Sequence, residues 1–177
     1  REVRTQYVTD GNYAANHIFK LPSVVETYAG DGVTRVSRTE ITYDEDSWNL
    51  ADTPGVVNHY NSYNPHAPQY WVDPYCIEYD PWYGYCTSWG GGYYESEYNP
   101  ATAYRGLVTT IKNYADAAGL NGNTAEIETR RYDITGNLIK ATRYCDASTP
   151  CENVQTTFTS ATQYAYPQST TRGSEST

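Results

Sequence analysis

The stretch TAEIETRRYDITGNLIKATRY, from Thr124 to Tyr144, decides the fold class of this 177-residue chain. Asp133 suits the first position of a type I turn, and Gly136 suits the last, where a positive φ is often required. Strand-like sequence stands on both sides of the turn, as in a β-hairpin. Neither arm alternates cleanly between apolar and polar residues. We therefore expect a sheet that depends on cross-strand contacts and neighbouring hairpins more than on a thick core.

The same turn chemistry recurs along the chain, where a tyrosine ends a strand-like run and Asp or Gly follows within a few residues. The tyrosines are Tyr7, Tyr28, Tyr43, Tyr114, Tyr132 and, more weakly, Tyr144. Apart from one long gap between Tyr43 and Tyr114, the spacing is that of one strand and one turn. The pattern predicts an internal repeat of hairpins. The strongest helix signal, NYADAAGLNG, is long enough for one helical turn only.

Composition supports an all-β chain and excludes several classes of function. Leu, Ile, Val and Phe are sparse and Met is absent, whereas Tyr numbers 20; aromatic and β-branched residues fit the pleated surface of a sheet. Twelve Lys and Arg against 21 Asp and Glu give a net charge of −9. The basic residues are scattered and form no run that could offset the phosphate charge of a nucleic acid, so the chain is a poor candidate for a nucleic-acid-binding protein. No apolar run is long enough to span a membrane. Because the chain opens on Arg1 in strand-like sequence, we interpret it as a mature fragment or an excised section.

The four cysteines form two close pairs, Cys76 with Cys86 and Cys145 with Cys151. Neither spacing is that of a zinc ribbon or a redox motif. Two local disulfides are the favoured interpretation, each stabilising its loop by about 2–3 kcal/mol, and free cytosolic thiols are the alternative. Disulfides predict an extracellular or cell-surface location.

Residues 130–144, RRYDITGNLIKATRY, resemble the YD repeat of RHS proteins. The signature of that repeat is a Tyr-Asp pair, two variable residues, Gly, then Asn or Arg, and Leu. It is matched here by Tyr132, Asp133, Gly136, Asn137 and Leu138. The stretches ITYDEDSWNLADTPGVVNHYNSYN and YRGLVTTIKNYADAAG are similar to the less regular repeats of bacterial RHS proteins. The resemblance covers residues 1–63 and 104–177.

The resemblance implies an all-β fold in which repeated antiparallel hairpins form a curved single-layer sheet. In toxin-complex proteins such sheets form hollow shells around a toxin, and in teneurins a related barrel serves adhesion at the cell surface. The family's self-cleaving domain, with its DPxG-type motif, is absent, so no catalytic residue is implied. The expected organisation is degenerate YD-type hairpins in residues 1–63, a Tyr/Trp/Gly-rich insertion in 64–103, and YD-type hairpins in 104–177.

The insertion departs from the repeats because aromatic rings are interleaved in it with Pro, Gly and Asp. The favoured interpretation is a disulfide-closed loop whose rings pack on one another in a small core of their own. In the alternative interpretation, exposed rings contact a glycan, a receptor or another chain, since Tyr and Trp bring a large contact area at low entropy cost. The candidate contact residues are Tyr79, Trp82, Tyr83, Tyr85 and Trp89.

No motif for catalysis or for a cofactor stands out. The sequence has no G-x-S-x-G, no H-E-x-x-H and no phosphate loop. A surface or hydrogen-bonded role is expected for the three histidines, His17, His59 and His66. The acidic cluster Asp44, Glu45 and Asp46 lacks the Gly and the terminal Glu of an EF-hand loop. A solvated turn is therefore preferred to a calcium site.

Three functions are compatible with these features. The leading one is a non-enzymatic structural section of an exported or cell-surface shell of the RHS type, whose partners are adjoining repeats of a longer chain. The second is a subunit of an extracellular filament or tube, since unpaired strand edges can add to a copy of the same chain. The third is a module that binds a glycan or a cell-surface receptor through the aromatic insertion. None of the three requires a cofactor.

Overall fold

The computed structural model describes residues 1–45, 50–51, 64, 67–98, 103–114, 117–120, 125–145 and 149–173. These residues form, in chain order, the elements β1 (Glu2–Tyr7), α1 (Gly11–Ala15), β2 (Pro22–Tyr28), β3 (Arg35–Tyr43), β4 (Leu50–Ala51), β5 (Gln69–Val72), β6 (Tyr75–Asp80), β7 (Tyr85–Gly90), β8 (Tyr93–Ser96), β9 (Val108–Asn113), β10 (Glu126–Asp133), β11 (Leu138–Tyr144), β12 (Pro150–Thr157) and β13 (Ser169–Gly173). A short 3-10 helix at Ser160–Thr162 precedes the last strand.

The main sheet is an antiparallel meander in which sheet order follows chain order. Its strands lie in the order β1-β2-β3-β9-β10-β11-β12-β13, and each is antiparallel to the next. The two-residue strand β4 is an exception, since it adds to the end of β10 in parallel. Strands β5 to β8 stand apart in two-stranded sheets, and β3 pairs directly with β9 across them. The all-β, antiparallel prediction is confirmed, whereas curvature of the RHS type stays a prediction.

The tyrosines that mark the predicted turns lie at strand ends. Four of them are the last residues of β1, β2, β3 and β11, Tyr132 is the penultimate residue of β10, and Tyr114 directly follows β9. After Tyr28 and Tyr132, where the structure describes the residues that follow, the chain reverses in tight turns, because Asp and Gly accept the dihedral angles of such turns. The predicted spacing therefore corresponds to real strand boundaries.

The YD turn between β10 and β11 has the predicted geometry. The Gly136 amide donates to the Asp133 carbonyl at 2.9 Å, and Gly136 has a φ of +91°, which only glycine adopts without strain. The Asp133 carboxylate accepts from the amides of Thr135 and Asn137, both at 2.9 Å, and from the Asn137 side chain at 3.2 Å. Leu138 begins β11 and lies opposite Tyr132. The turn is therefore organised around one buried carboxylate.

The main sheet has a thin core, as its composition indicates. The buried apolar residues in the described part of the chain are Tyr13, Leu50, Ala67, Ala117, Ala125 and Ile134, and no bulky side chain there is fully buried. Polar pairs join neighbouring strands instead. The Thr39 hydroxyl donates to the Asn113 side chain at 2.7 Å, and buried Thr142 donates to Asn153 at 3.3 Å. Cross-strand pairs of this kind stabilise a sheet that lacks a deep apolar layer.

A partly buried ion-pair cluster joins β2 and β3. Glu26, which is 7% exposed, accepts from Arg35 at 2.7 Å and from Arg38 at 2.5 Å. Arg38 also pairs with Glu40 at 2.8 Å, which accepts from the Tyr114 hydroxyl at 2.8 Å. The cluster links three adjacent strands, because Tyr114 follows β9.

The described α-helix lies outside the strongest helix signal of the sequence. The one described α-helix is α1, capped by Asp10, whose carboxylate accepts from the Asn12 amide at 2.9 Å. The TDGN sequence at this point predicts a turn, but Asp10 is also a good N-cap residue, and Tyr13 holds the single helical turn by packing edge-on against Tyr104 at 5.2 Å. In NYADAAGLNG, the described residues 117–120 form a turn and no helix.

Candidate contact surface

Strands β5 to β8 form two nested antiparallel pairs, which together make one long hairpin that we call the aromatic ribbon, residues 69–96. The outer pair is β5 with β8 and the inner pair is β6 with β7. The pairs meet where Asp73 and Pro74 lie against Gly91 and Gly92: the Gly92 amide donates to the Val72 carbonyl at 2.7 Å. Gly91 has a φ of +77°, and a Cβ there would come within 2.2 Å of the Asp73 carbonyl oxygen. Glycine is therefore required at this junction.

The tip of the aromatic ribbon is a turn built around Asp80. Its carboxylate accepts from the amides of Trp82 at 2.8 Å and Tyr83 at 3.1 Å. The Gly84 amide donates to the Asp80 carbonyl at 2.9 Å, and Gly84 has a φ of +70°. These bonds fix the backbone below Trp82 and Tyr83, so both rings project from a defined turn.

Both predicted disulfides are present. Cys76 and Cys86 are joined across β6 and β7, with their Cα atoms 5.7 Å apart. Cys145 and Cys151 are joined at the same Cα separation across the connection between β11 and β12. No free cysteine occurs in the described chain, which holds all four. Each bond closes a short local loop, as the spacing predicts.

The rings of the aromatic ribbon are exposed. Trp82 is 89% exposed and Tyr83 72%. More than half of the surface is also exposed in the other three predicted contact residues, Tyr79, Tyr85 and Trp89. Described ring contacts within the ribbon are between Trp71 and Tyr94 at 5.1 Å and between Tyr83 and Tyr85 at 6.1 Å. The prediction of a self-packed core is wrong for these rings. A two-stranded hairpin sends alternate side chains to opposite faces, and among the described residues no second layer covers them.

Sequence reasoning missed part of this surface. Six further apolar side chains of the ribbon are exposed, namely Tyr70, Trp71, Tyr75, Ile77, Tyr93 and Tyr94. They lie in β5, β6 and β8, and all of them except Ile77 lie outside the segment that the Cys76–Cys86 pair closes. For β6 a signal was present: in YCIEYD, Tyr75, Ile77 and Tyr79 alternate with other residues, a period of two that indicates a strand.

The aromatic ribbon also has a one-sided charge. All 12 Lys and Arg of the chain lie outside residues 39–104, whereas 10 of the 21 Asp and Glu lie inside this range. The carboxylates of the described segment 67–98 are Asp73, Glu78, Asp80, Glu95 and Glu97. Glu95 lies beside the rings, since the Tyr70 hydroxyl donates to it at 3.3 Å. The exposed rings are therefore set in a purely acidic segment.

Asp44 clamps the base of the long connection between β3 and β9. Its carboxylate accepts from the backbone amides of Gly106 at 2.7 Å, Arg105 at 3.0 Å and Leu107 at 3.1 Å. The Asp44 amide in turn donates to the Leu107 carbonyl at 3.0 Å. The predicted solvated turn is wrong for Asp44, because these amides lie more than 60 residues away along the chain and occupy its carboxylate. Glu45 accepts from the Thr109 hydroxyl at 2.9 Å and from that of Thr110; Asp46 lies outside the described residues.

Asp44 lies in a groove beside α1. Partial burial raises the pKa of Asp44 above its ordinary value of 3.8, although the three amides and the Tyr13 hydroxyl act in the opposite direction. Burial and the nearby carboxylate of Asp44 raise the pKa of Tyr13. The groove has a volume of about 710 Å³ and is lined in part by Tyr7, Tyr43 and Tyr104. The Tyr13 hydroxyl donates to the Tyr43 carbonyl at 3.1 Å, so the polar groups named here bond to one another and stabilise the fold.

The remaining candidate residues form no site in the described part of the chain. His17 follows α1 with a φ of +59°, while His59 and His66 lie outside the described residues. Among residues that the structure describes, no group of three or more His, Cys, Asp or Glu is placed to hold a metal ion. None of the described helices has the length and apolar character needed to cross a membrane.

Comparison with protein-family models, with curated proteins and with solved structures gives no match to this chain.

Proposed function

We propose that this chain is a non-enzymatic structural section of an exported or cell-surface β-repeat shell of the RHS type. The observation that carries the proposal is the meander of eight strands in chain order, with a YD turn closed by the carboxylate of Asp133. In such a sheet each new hairpin pairs with the free edge strand of the hairpin before it. The architecture grows by adding repeats, and stability comes from contacts between neighbours.

The thin core supports a structural role. Polar pairs and ion pairs join the strands of the main sheet, and Thr109, Thr142 and Asn153 are buried polar residues on it. A wall needs strands that hold to their neighbours and does not need a deep pocket. The aromatic ribbon is an insertion on this wall, since β3 and β9 pair as though it were absent.

The size of the native product tests this proposal. An antibody raised against the isolated chain would be used on the secreted and surface fractions of the source cells. A product several times larger than 177 residues, with further YD turns in its peptide map, is the expected result. A product of the size of this chain alone would overturn the shell proposal.

A second candidate is a subunit of an extracellular filament or tube, favoured by the two edges of the main sheet. All described side chains of the edge strands β1 and β13 are exposed. Because the sheet has an even number of strands in its meander, the two edges run in opposite directions. A copy that places its β1 beside β13 of the next continues the antiparallel alternation, and exposed edges are templates for such pairing. A monodisperse monomer in size-exclusion chromatography, without fibres in negative stain, would contradict this candidate.

An extracellular or cell-surface location is part of both proposals. The two disulfides are compatible with it, since such bonds persist mainly in oxidising compartments. Mass spectrometry of material from the native source, with and without reductant, is expected to find both bonds intact. Two reduced cysteine pairs in that material would place the protein in the cytoplasm instead.

A further inference from the structure

The aromatic ribbon leaves an unusual amount of apolar surface uncovered. Eleven of the 18 large hydrophobic side chains that are exposed in the described chain lie between Tyr70 and Tyr94. Exposed rings that are clustered in this way mark interaction surfaces, whereas single exposed apolar residues need no explanation. The rings are spread along both strand pairs of the ribbon, and this arrangement suits a macromolecule better than a small ligand.

The surface is also held in place before any partner arrives. The Cys76–Cys86 bond joins the inner strands, the Asp80 carboxylate fixes the tip, and the glycine junction connects the inner strand pair to the outer pair. A rigid surface loses little conformational entropy on binding. Trp and Tyr add to this advantage, because each has only two side-chain torsions to order.

Charge identifies the chemistry of the partner. The faces of aromatic rings attract cations. Two such contacts occur outside the ribbon: Arg4 lies 4.2 Å from the ring centre of Tyr28, and Lys112 lies 4.9 Å from that of Tyr114. The rings of the aromatic ribbon have no such cation in their own segment, since residues 39–104 contain no Lys or Arg. Carboxylates stand among them instead. Both groups therefore favour a partner that supplies positive charge.

We propose that the aromatic ribbon is a docking surface for a protein segment that presents exposed Lys or Arg side chains. Ammonium or guanidinium groups of the partner stack on the rings of Trp82, Tyr83 and Trp89, and the carboxylates of Glu78 and Glu95 neutralise their charge. Neutral glycans would use the rings but gain nothing from the carboxylates. This inference goes beyond the structural role of the main sheet and does not depend on it.

A binding titration with the whole, disulfide-intact chain tests the proposal. The probe is a labelled peptide of alternating Lys and Tyr, compared with the same peptide carrying Gln in place of every Lys, and with a neutral β-linked glucose oligosaccharide. The Lys peptide is expected to bind and the other two are not. Raising the ionic strength from about 0.05 M to about 0.5 M is expected to weaken the binding, because the screening length falls to a few ångströms.

Variants separate a defined surface from general attraction to an acidic chain. The double change Trp82→Ala and Tyr83→Ala is expected to weaken binding of the Lys peptide about thirtyfold, the effect of losing a hot-spot residue. The matched control is Tyr166→Ala, because Tyr166 is 73% exposed and lies outside the aromatic ribbon. Glu78→Gln with Glu95→Gln leaves the rings in place and is expected to reduce the salt dependence. Thermal unfolding of each variant checks that the main sheet is intact.

Several outcomes would overturn the proposal. Equal binding of the Lys peptide by wild type and by the ring double variant would show attraction by net charge alone. Equal binding of the Lys and Gln peptides, or binding of the oligosaccharide alone, would assign the aromatic ribbon to neutral partners. Failure of the wild-type chain to bind the Lys peptide at low ionic strength would also reject the inference.

Discussion

At the residue scale, aspartates just after or at the ends of strands determine where this chain turns. The carboxylates of Asp31, Asp80 and Asp133 each accept the backbone amide of the residue two positions later. Three hydrogen bonds lower the pKa of Asp31 to about 2: one from the Thr34 hydroxyl and two from the backbone amides of Thr34 and Val33. Asx turns of this kind compete with extended backbone and end a strand. The chain thus uses one local device at three hairpins.

Replacement of Asp133 by Ala is predicted to destabilise the chain by about 2–3 kcal/mol. The change leaves the amides of Thr135 and Asn137 without their acceptor at a position that is 3% exposed. Asp133→Asn retains one acceptor oxygen and is expected to cost less. Urea unfolding followed by circular dichroism measures both variants.

The control for this prediction is Asp31→Ala, which removes the same turn chemistry at an exposed position between β2 and β3. Water can replace the lost acceptor there, so the change in the free energy of unfolding is expected to be smaller than for Asp133→Ala. An equal or larger loss at Asp31 would contradict the importance assigned to burial of the YD turn.

Ionisation of Glu26 is expected to make the free energy of unfolding depend on pH in the acidic range. Hydrogen bonds from Arg35 lower the pKa of Glu26 below its ordinary value of 4.5 despite desolvation, with help from Arg38 and Tyr28. The stability that its ionised form contributes is therefore present above about pH 4.5 and is lost as the pH falls through the lowered folded-state pKa. Glu26→Gln is expected to cost about 1–3 kcal/mol near neutral pH.

Unfolding measured between neutral and strongly acidic pH checks this prediction. The difference between wild type and Glu26→Gln is expected to shrink as the pH falls below 4.5, the ordinary value for Glu. Glu126→Gln is a suitable control, because Glu126 pairs with Arg143 at 3.1 Å with about half of each side chain exposed; exposed pairs contribute little. A difference for Glu26 that stays constant with pH would reject the role of its charge.

At the element scale, the aromatic ribbon and the main sheet behave as separate hairpin systems. The ribbon strands β5–β8 pair only among themselves in the described chain, in two-stranded sheets. An isolated two-stranded hairpin is marginally stable in water. We infer that the Cys76–Cys86 bond, the Asp80 turn and the glycine junction replace the stabilisation that a third strand would provide.

The two disulfides are predicted to have different effects when removed. Cys76→Ser with Cys86→Ser is expected to open the ribbon tip to proteolysis while the midpoint of urea unfolding of the main sheet changes little. Cys145→Ser with Cys151→Ser is expected to reduce the free energy of unfolding by about 2–3 kcal/mol, because this loop joins two strands of the main sheet. Limited proteolysis with mass mapping and urea unfolding measure the two effects. The reverse assignment of the effects would contradict the separation of the two hairpin systems.

For the molecule as a whole, the described strands leave β1 and β13 at the two edges of the main sheet, and no other described strand pairs with either edge. Edge strand β1 carries Val3, which is 62% exposed, and the β13 edge lies at the opposite side of the sheet. Natural sheets often protect such edges with inward-facing charge, proline or bulges. Both candidate functions need these edges, either for adjoining repeats or for a second copy.

Charge added to the β1 edge is predicted to reduce self-association. Val3→Lys is expected to lower the weight-average mass at high protein concentration, because a lysine on an edge strand opposes pairing with another strand. Val33→Lys is the control, since Val33 is 80% exposed in the turn between β2 and β3 and lies on no edge. Sedimentation equilibrium over a range of concentrations measures both. Equal association of the two variants would exclude the β1 edge as a contact.

The all-β class, the strand ends and both disulfides could be predicted from the amino-acid sequence. Each of these depends on residues that are near one another in the chain. Asp133, Gly136 and Asn137 form their turn within five residues, and the cysteine pairs close loops of 10 and 6 residues. Local conformational preferences dominate at that range, so a single stretch of sequence is enough to predict them.

The order of strands, the role of Asp44 and the exposure of the rings could not be predicted from the sequence and became known from the fold. Asp44 meets the amides of residues 105–107, and β3 meets β9 across the whole aromatic ribbon. The stretch YWVDPYCIEYD reads the same whether or not a second layer of structure covers its rings. Burial depends on contacts between residues that are distant in the sequence. Forming such a contact closes a long loop and costs chain entropy, and no local sequence pattern shows which residues make the contacts that offset this cost.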